Sequence, residues 1–336
     1  MGSEHDLITM GRASIDLYAQ DIGVPFEKIN SFAAYVGGSP TNIAVGARRL
    51  GLKVALISGI GEDPVGDFVL AFLNEEHINT EFITRKPMAR TGAVLLGIER
   101  PDLIPLVYYR ENAADIQITI DDVKAAPIEQ SRAFEFGGTN LSQEPSRSAT
   151  LYAVEQAKSA GVRVIMDLDL RADLWQDVRA FGLMVRSILP MVDIAVGTEE
   201  EIKAAVLESA GQISITHSQI SSPEISGDLD AALHSLLERG LEALVVKQGS
   251  KGSSVYLQGG EVVLAPGFSV EVYNVLGAGD AFASGLIYGR LKGWDWYRSA
   301  RMGNACGAIV VTRHGCANFM PYEKEALKFI EERGGF

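Results

Sequence analysis

Residues 274–285 read NVLGAGDAFASG. Three small residues, Gly277, Ala278 and Gly279, precede the carboxylate of Asp280, and the run AFASGLIYGRL (281–291) that follows is apolar and compatible with a helix. A helix N-terminus exposes unpaired N–H groups and partial positive charge, so it attracts phosphate. An ionised aspartate there competes with the phosphate unless the two meet only across a substrate proton. Phosphoryl transfer satisfies that condition. The N–H groups of 277–279 stabilise the charge of a phosphoryl group in flight, and Asp280 takes the proton of the attacking hydroxyl. The purely structural alternative is a tight glycine turn with Asp280 as helix cap.

Outward from this turn, strand and helix patterns alternate. DLITMG (6–11) reads as a buried strand. SPTNIAVGARRLG (39–51) reads as a helix with Ser39 as N-cap, Pro40 at the first helical position and Gly51 as C-cap. VALISGIG (54–61) is a strand and PVGDFVLAFLNEEHI (64–78) an amphipathic helix. The pairing recurs as a helix over 146–160 before VRVIMDLDL, as DIAVG before TEEEIKAAVLESA, and as a helix over 228–239 before ALVVKQG. Repeated strand–helix units predict a doubly wound α/β fold, a mostly parallel sheet with helices on both faces. Residues 12–36 and 91–112 break the rhythm, alternating apolar and polar side chains as strands with one wet face do. They are expected to form a small β-sheet lid within a single domain spanning 1–336. Residues 208–228, rich in Ser and Ile, read as a surface connection.

Composition narrows the function. At 336 residues, 47% hydrophobic and 22% charged, the chain is ordinary for a globular protein with a large core. Its formal charge of −13 repels nucleic acid and anionic membranes, so neither is an expected partner. The two cysteines, Cys306 and Cys316, make no disulfide framework, and the five histidines form no metal-binding pair. The charged start MGSEHDL is no signal peptide and no apolar run approaches a membrane span, so a cytoplasmic location is expected.

In a doubly wound sheet, ligands bind beyond the carboxyl ends of the strands. The polar motifs cluster there: GRASID (11–16), DLDLR (167–171), GTEEE (197–201), KQGSKG (247–252) and NVLGAGD (274–280). A Walker-type loop is excluded because the dipeptide Gly-Lys never occurs, and no glycine fingerprint for a dinucleotide follows the first strand.

GAGD followed by a small-residue helix, together with GGSPTN (37–42) and GRASID, resembles the ribokinase-like (pfkB-type) family of carbohydrate kinases from about Asp6 to Pro321. The resemblance implies a ribokinase-like fold and phosphoryl transfer from ATP with Mg2+. It makes Asp280 the catalytic base and the backbone of Gly277, Ala278 and Gly279 the anion hole. Asp16, Gly37, Gly38 and Asn42 become sugar-binding positions. Two glycines let backbone come close to a sugar, while Asp and Asn offer acceptors and donors to hydroxyls. Glu201 matches the glutamate of the family's magnesium- and phosphate-organising motif, with Thr198 in place of its asparagine. Read bare, TEEEI is a good helix start with acids in its first turn. Lys247, Gly249, Gly252 and Asn304 match nucleotide-side positions. Asn274 stands where the family carries an aspartate that helps hold a monovalent cation. Potassium binding is therefore not expected beyond what backbone carbonyls near 310–315 supply.

DLDLRADLW (167–175) and YYRENAAD (108–115) resemble segments of the family's keto-deoxy sugar-acid kinases, with fructose kinases further behind. The implied substrate carries a carboxylate, and Arg110 and Arg171 are the expected holders, since a planar guanidinium donates two parallel hydrogen bonds to it. Each arginine instead pairs with a neighbour, such as Asp167, Asp169 or Glu111, in the alternative reading. The expected partners are thus a sugar acid and ATP, with a homodimer through the exposed lid face as a further option. A non-catalytic sugar-binding relative would be expected to lose Asp280, and a nicotinamide oxidoreductase would need the absent fingerprint.

Overall fold

A computed structural model describes residues 4–100, 103–209, 212–214 and 223–336. The main sheet contains β1 (His5–Met10), β4 (Val54–Gly61), β5 (Ile83–Lys86), β8 (Ser131–Gly137), β9 (Arg163–Asp167), β10 (Ile194–Thr198), β13 (Ala243–Lys247), β14 (Gly252–Leu257) and β15 (Val262–Pro266). Its nine strands run in the order β15-β14-β13-β10-β9-β8-β1-β4-β5. All neighbours pair in parallel except β13–β14 and β14–β15. From β1 the chain proceeds to β4 and β5 on one side and to β8, β9, β10 and β13 on the other. The order therefore reverses between β1 and β8, and a crevice opens there at the carboxyl ends.

The inner strands are buried on both faces. Leu7, Ile165 and Val245 pack with the helices Ser39–Arg49, Ala278–Leu291 and Trp296–Val310. Ile8, Met166 and Leu244 face the helices Ser146–Ser159, Val178–Ile188 and Leu229–Leu237 on the other side. The helices on both faces follow from continuous apolar strands flanked by amphipathic segments.

The lid is a separate four-stranded sheet of β2 (Ser14–Ala19), β3 (Phe32–Gly37), β6 (Gly92–Leu96) and β7 (Leu106–Tyr109), ordered β3-β2-β6-β7. Val94, Leu96 and Tyr18 pack inward while Val107 and Tyr109 face outward, the pattern expected of one wet face. Of the connection over 208–228, residues 210–211 and 215–222 lie outside the described residues. The rest includes a two-residue antiparallel ladder, Ile213–Ser214 with Glu224–Ile225. Among the described residues, no helix is long and apolar enough to cross a membrane.

Local boundaries differ from the sequence reading in one way that bears on the site. The helix starting at Ser39 is capped by Gly38, at φ +106°, with no side-chain cap. Ser39 already lies in the first turn, so its hydroxyl is free to point elsewhere.

Candidate active site

The GAGD turn is built as a helix start. Gly277, at φ +73°, is the N-cap of Ala278–Leu291, and a side chain there would meet the backbone nitrogen of Cys316. Asp280 sits in the first turn but caps nothing. Its two oxygens accept instead from Ser39 Oγ at 2.8 Å and Asn42 Nδ2 at 2.7 Å, both from the helix after the paired glycines. The cap alternative is thereby set aside. Burial raises the Asp280 pKa and nearby Asp169 adds to it, while the bonds from Asn42 and Ser39 and the charge of Arg171 hold it down. A carboxylate with two donors and a raised pKa is suited to taking a proton.

Lys247, at the end of β13, lies against the same turn: a Cβ on Gly279 would come within 3.2 Å of its Nζ. The ammonium is 3.1 Å from Asp167 and 3.8 Å from Glu201. Burial disfavours its charge, but those carboxylates hold its pKa above the usual lysine range. Burial in turn lifts Asp167 to about 7 against the pull of Lys247. The lysine therefore stands beside the GAGD turn itself.

Glu201 closes a capping box with Thr198. Its carboxylate accepts from the N–H of Thr198 and of Leu170, and Thr198 Oγ1 accepts from the N–H of Glu201. Among the described residues, no group of three or more potential ligands could hold a metal ion. Magnesium commonly binds through one or two carboxylates, keeping several waters and the substrate phosphates as its other ligands. Asp167 and Glu201, both beside Lys247, fit that minimal donor set and not an all-protein cage.

The space beside the paired glycines is taken up by this chain's own groups. Gly37 lies opposite the side chain of Asp16, and a Cβ there would stand 1.9 Å from its carboxylate. A Cβ on Gly38 would stand 2.2 Å from the carbonyl oxygen of Arg12. Both positions thus make room for this chain's own groups between β2, β3 and the loop after β1. Asp16 is buried, accepts from Ser14 Oγ at 2.9 Å, and is pushed up to about 6 chiefly by burial.

Each expected carboxylate holder has an acidic neighbour. Arg110 is paired with Asp115 and Arg171 with Asp169, the latter at 2.9 Å. The neighbour-pairing alternative thus holds for both, yet Arg110 keeps Nε and Nη1, and Arg171 keeps Nε, buried without acceptors. Asp169 has φ +34° and also accepts from Thr139 Oγ1 at 3.0 Å.

The nucleotide-side positions are largely structural in their visible contacts. Asn304 donates to the carbonyls of Ala265 and Pro266 at 2.9 and 3.2 Å. Gly252, at φ +104°, leaves room for the Ala265 carbonyl, whereas Gly249, at φ +57°, has open space around it. Asn274 is fully buried and donates to the carbonyls of Arg313 and His314 at 2.8 and 2.9 Å, while its Oδ1 accepts from Leu276 N–H. Its neutral amide therefore occupies two of the carbonyls left as cation candidates.

As site residues, Ser39 and Arg12 escaped the sequence reading, and Asp167 and Asp169 entered it only as possible partners of the arginines. The first was read as a cap, and the others stood inside quoted motifs without a local signal that they face the crevice.

The sequence profile of the pfkB family carbohydrate kinases matches residues 4–323. This chain belongs to that family. The pfkB kinase is accordingly a phosphotransferase acting on an alcohol group. It is 34% identical over 333 residues to a 5-dehydro-2-deoxygluconokinase of Shouchella clausii, covering 99% of this chain and 97% of that one. A 5-dehydro-2-deoxygluconokinase of Clostridium tetani is also 34% identical, over 329 residues, 98% and 93% of the two chains. The fold matches a putative ribokinase II from E. coli with a TM-score of 0.85 at 24% identity, over 99% of this chain and 100% of that one. A sugar kinase of Pyrococcus horikoshii in complex with ATP matches with a TM-score of 0.79 at 27% identity, over 97% and 99%.

Proposed function

We propose that this pfkB kinase transfers the γ-phosphoryl group of ATP to a hydroxyl of 5-dehydro-2-deoxygluconate. The carrying observation is the pair Arg110 and Arg171, each of which keeps buried N–H groups without acceptors. Support comes also from the full-length similarity to two kinases named for that substrate. Asp280 takes the proton of the attacking hydroxyl, the new oxygen–phosphorus bond forms, and the bond to the β-phosphate oxygen breaks to release ADP. Backbone N–H groups of Gly277, Ala278 and Gly279, with Lys247 alongside, stabilise the charge on the transferring group. Asp167 and Glu201 would hold magnesium, which would supply neutralisation of the phosphate charge. Asp16 and Asn42 position the sugar, while Gly249, Gly252, Thr198 and Asn304 shape the nucleotide side.

An ATP-consumption screen over 5-dehydro-2-deoxygluconate, 2-keto-3-deoxygluconate, fructose and ribose tests this reading. The first should give the highest kcat/KM. Arg171→Ala should raise its KM about tenfold or more with the KM for ATP nearly unchanged, as loss of a charged hydrogen bond implies. A neutral ketose outpacing every acid, with the Arg171 variant losing nothing, would overturn the substrate and leave the kinase standing.

A further inference from the structure

We infer that Arg12 presents the charged edge that receives the substrate carboxylate and so sets the preference for an acid over a neutral sugar. This rests on the sugar-acid reading above. Arg12 follows β1 directly, at the crevice where the sheet order reverses. It is 5% exposed, and its Nε and Nη1 are buried without a hydrogen-bond acceptor. Buried guanidinium groups with a structural role look different in this molecule. Arg49 donates to the carbonyls of Asn318 and Met320 and to Glu76, and Arg301 donates to those of Pro266 and Gly335. Arg12 uses only its backbone carbonyl in that way, accepting from Thr41 Oγ1 at 2.9 Å.

Two of the nearby carboxylates already have cationic partners. Asp169 is paired with Arg171 and Asp115 with Arg110, and Asp16 accepts from Ser14. Among the described residues, Arg12 has no carboxylate within ion-pair distance, although Asp169 and Asp115 act on it from further off and its own charge holds down the pKa of Asp16. The Tyr108 ring, 5.5 Å from its guanidinium carbon, covers one side. Arg12 Nη2, which shares an edge with Nε on one side and with Nη1 on the other, makes no hydrogen bond among the described residues either, so Nη2 with one of them offers two parallel N–H groups to the two oxygens of a carboxylate. Arg110 and Arg171 then fix the orientation of a seat whose uncompensated charge comes from Arg12.

The test is calorimetric binding of 5-dehydro-2-deoxygluconate and its C1 carboxamide to the whole enzyme at about pH 8.5, above the range in which Asp16 titrates. The unaltered enzyme should prefer the acid by about tenfold or more, and Arg12→Gln should remove most of that preference by weakening the acid alone. Arg12→Lys, which keeps charge but loses the two-pronged edge, should fall between them, and it carries the test if Arg12→Gln gives no melting transition. Equal weakening of acid and amide would make Arg12 a scaffold residue and overturn the inference. So would an acid preference that survives in Arg12→Gln and is lost only in Arg171→Ala, with the sugar-acid reading intact. An unaltered enzyme indifferent to the C1 charge would instead refute the sugar-acid reading, and this inference with it.

Discussion

Asp280, the proposed proton acceptor, shows how two bonds tune a buried carboxylate. Burial and Asp169 disfavour its charge, and the bonds from Asn42 and Ser39 offset part of that. Asp280→Asn should leave ATP binding intact and lower kcat by roughly 10²–10⁴-fold, the usual effect of losing a general base. Near-normal turnover by the purified variant would remove Asp280 from the chemistry. Ser39→Ala tests the tuning. A hydroxyl donated to the carboxylate lowers its pKa, so its removal must raise it, and the acid limb of kcat/KM should move to higher pH. A limb that stays in place would mean that this bond does not stabilise the reacting form. The GAGD turn was legible because its components are consecutive. Ser39 was misread because its first-turn neighbourhood resembles a cap, and only the approach of the other helix shows where its hydroxyl goes.

At the scale of elements, the loop before Ala278–Leu291 is tied to the end of Trp296–Val310 by Asn274. Its amide hydrogens satisfy the Arg313 and His314 carbonyls, which a carboxylate cannot do. Asn274→Asp would place a buried negative charge against two carbonyl oxygens, a costly arrangement unless a cation joins them. The variant should melt at lower temperature in sodium-free buffer without potassium and recover on adding potassium chloride, whereas the unaltered chain should respond little in melting or rate. A strong, saturable potassium activation of the unaltered enzyme would contradict this. The lid strands were legible from their alternation, since period two survives wherever one face stays wet. The end of Glu199–Ala205 was not: TEEEIKAAVLESA continues the pattern, but the chain leaves the helix after Ala205.

Across the whole molecule, the most unusual group is Glu135, fully buried in β8 with neither carboxylate oxygen bonded. Burial, then the carboxylates of Asp167, Asp280 and Asp169, push its pKa well above the usual range, with Lys247 opposing. A carboxyl raised in the folded state leaves stability undiminished below its unfolded value of about 4.3 and erodes it as pH climbs toward the folded value. Glu135→Gln should therefore raise the melting temperature at pH 8 more than at pH 5. An equal shift at both values would show that Glu135 is ionised or bonded in the folded protein.

The sequence by itself determined the alternating architecture, the lid and the GAGD turn, because periodicity, caps and glycine turns act between residues close along the chain. Tertiary structure alone decided the partners of the reacting groups. Ser39 and Asn42 reach Asp280 across 241 and 238 positions, and Lys247 meets Asp167 across 80. It also decided that Gly37 and Gly38 make room for Asp16 and Arg12. Charge, burial and orientation at the crevice arise only when strand ends far apart in sequence converge, and no local pattern records which side chains will meet there.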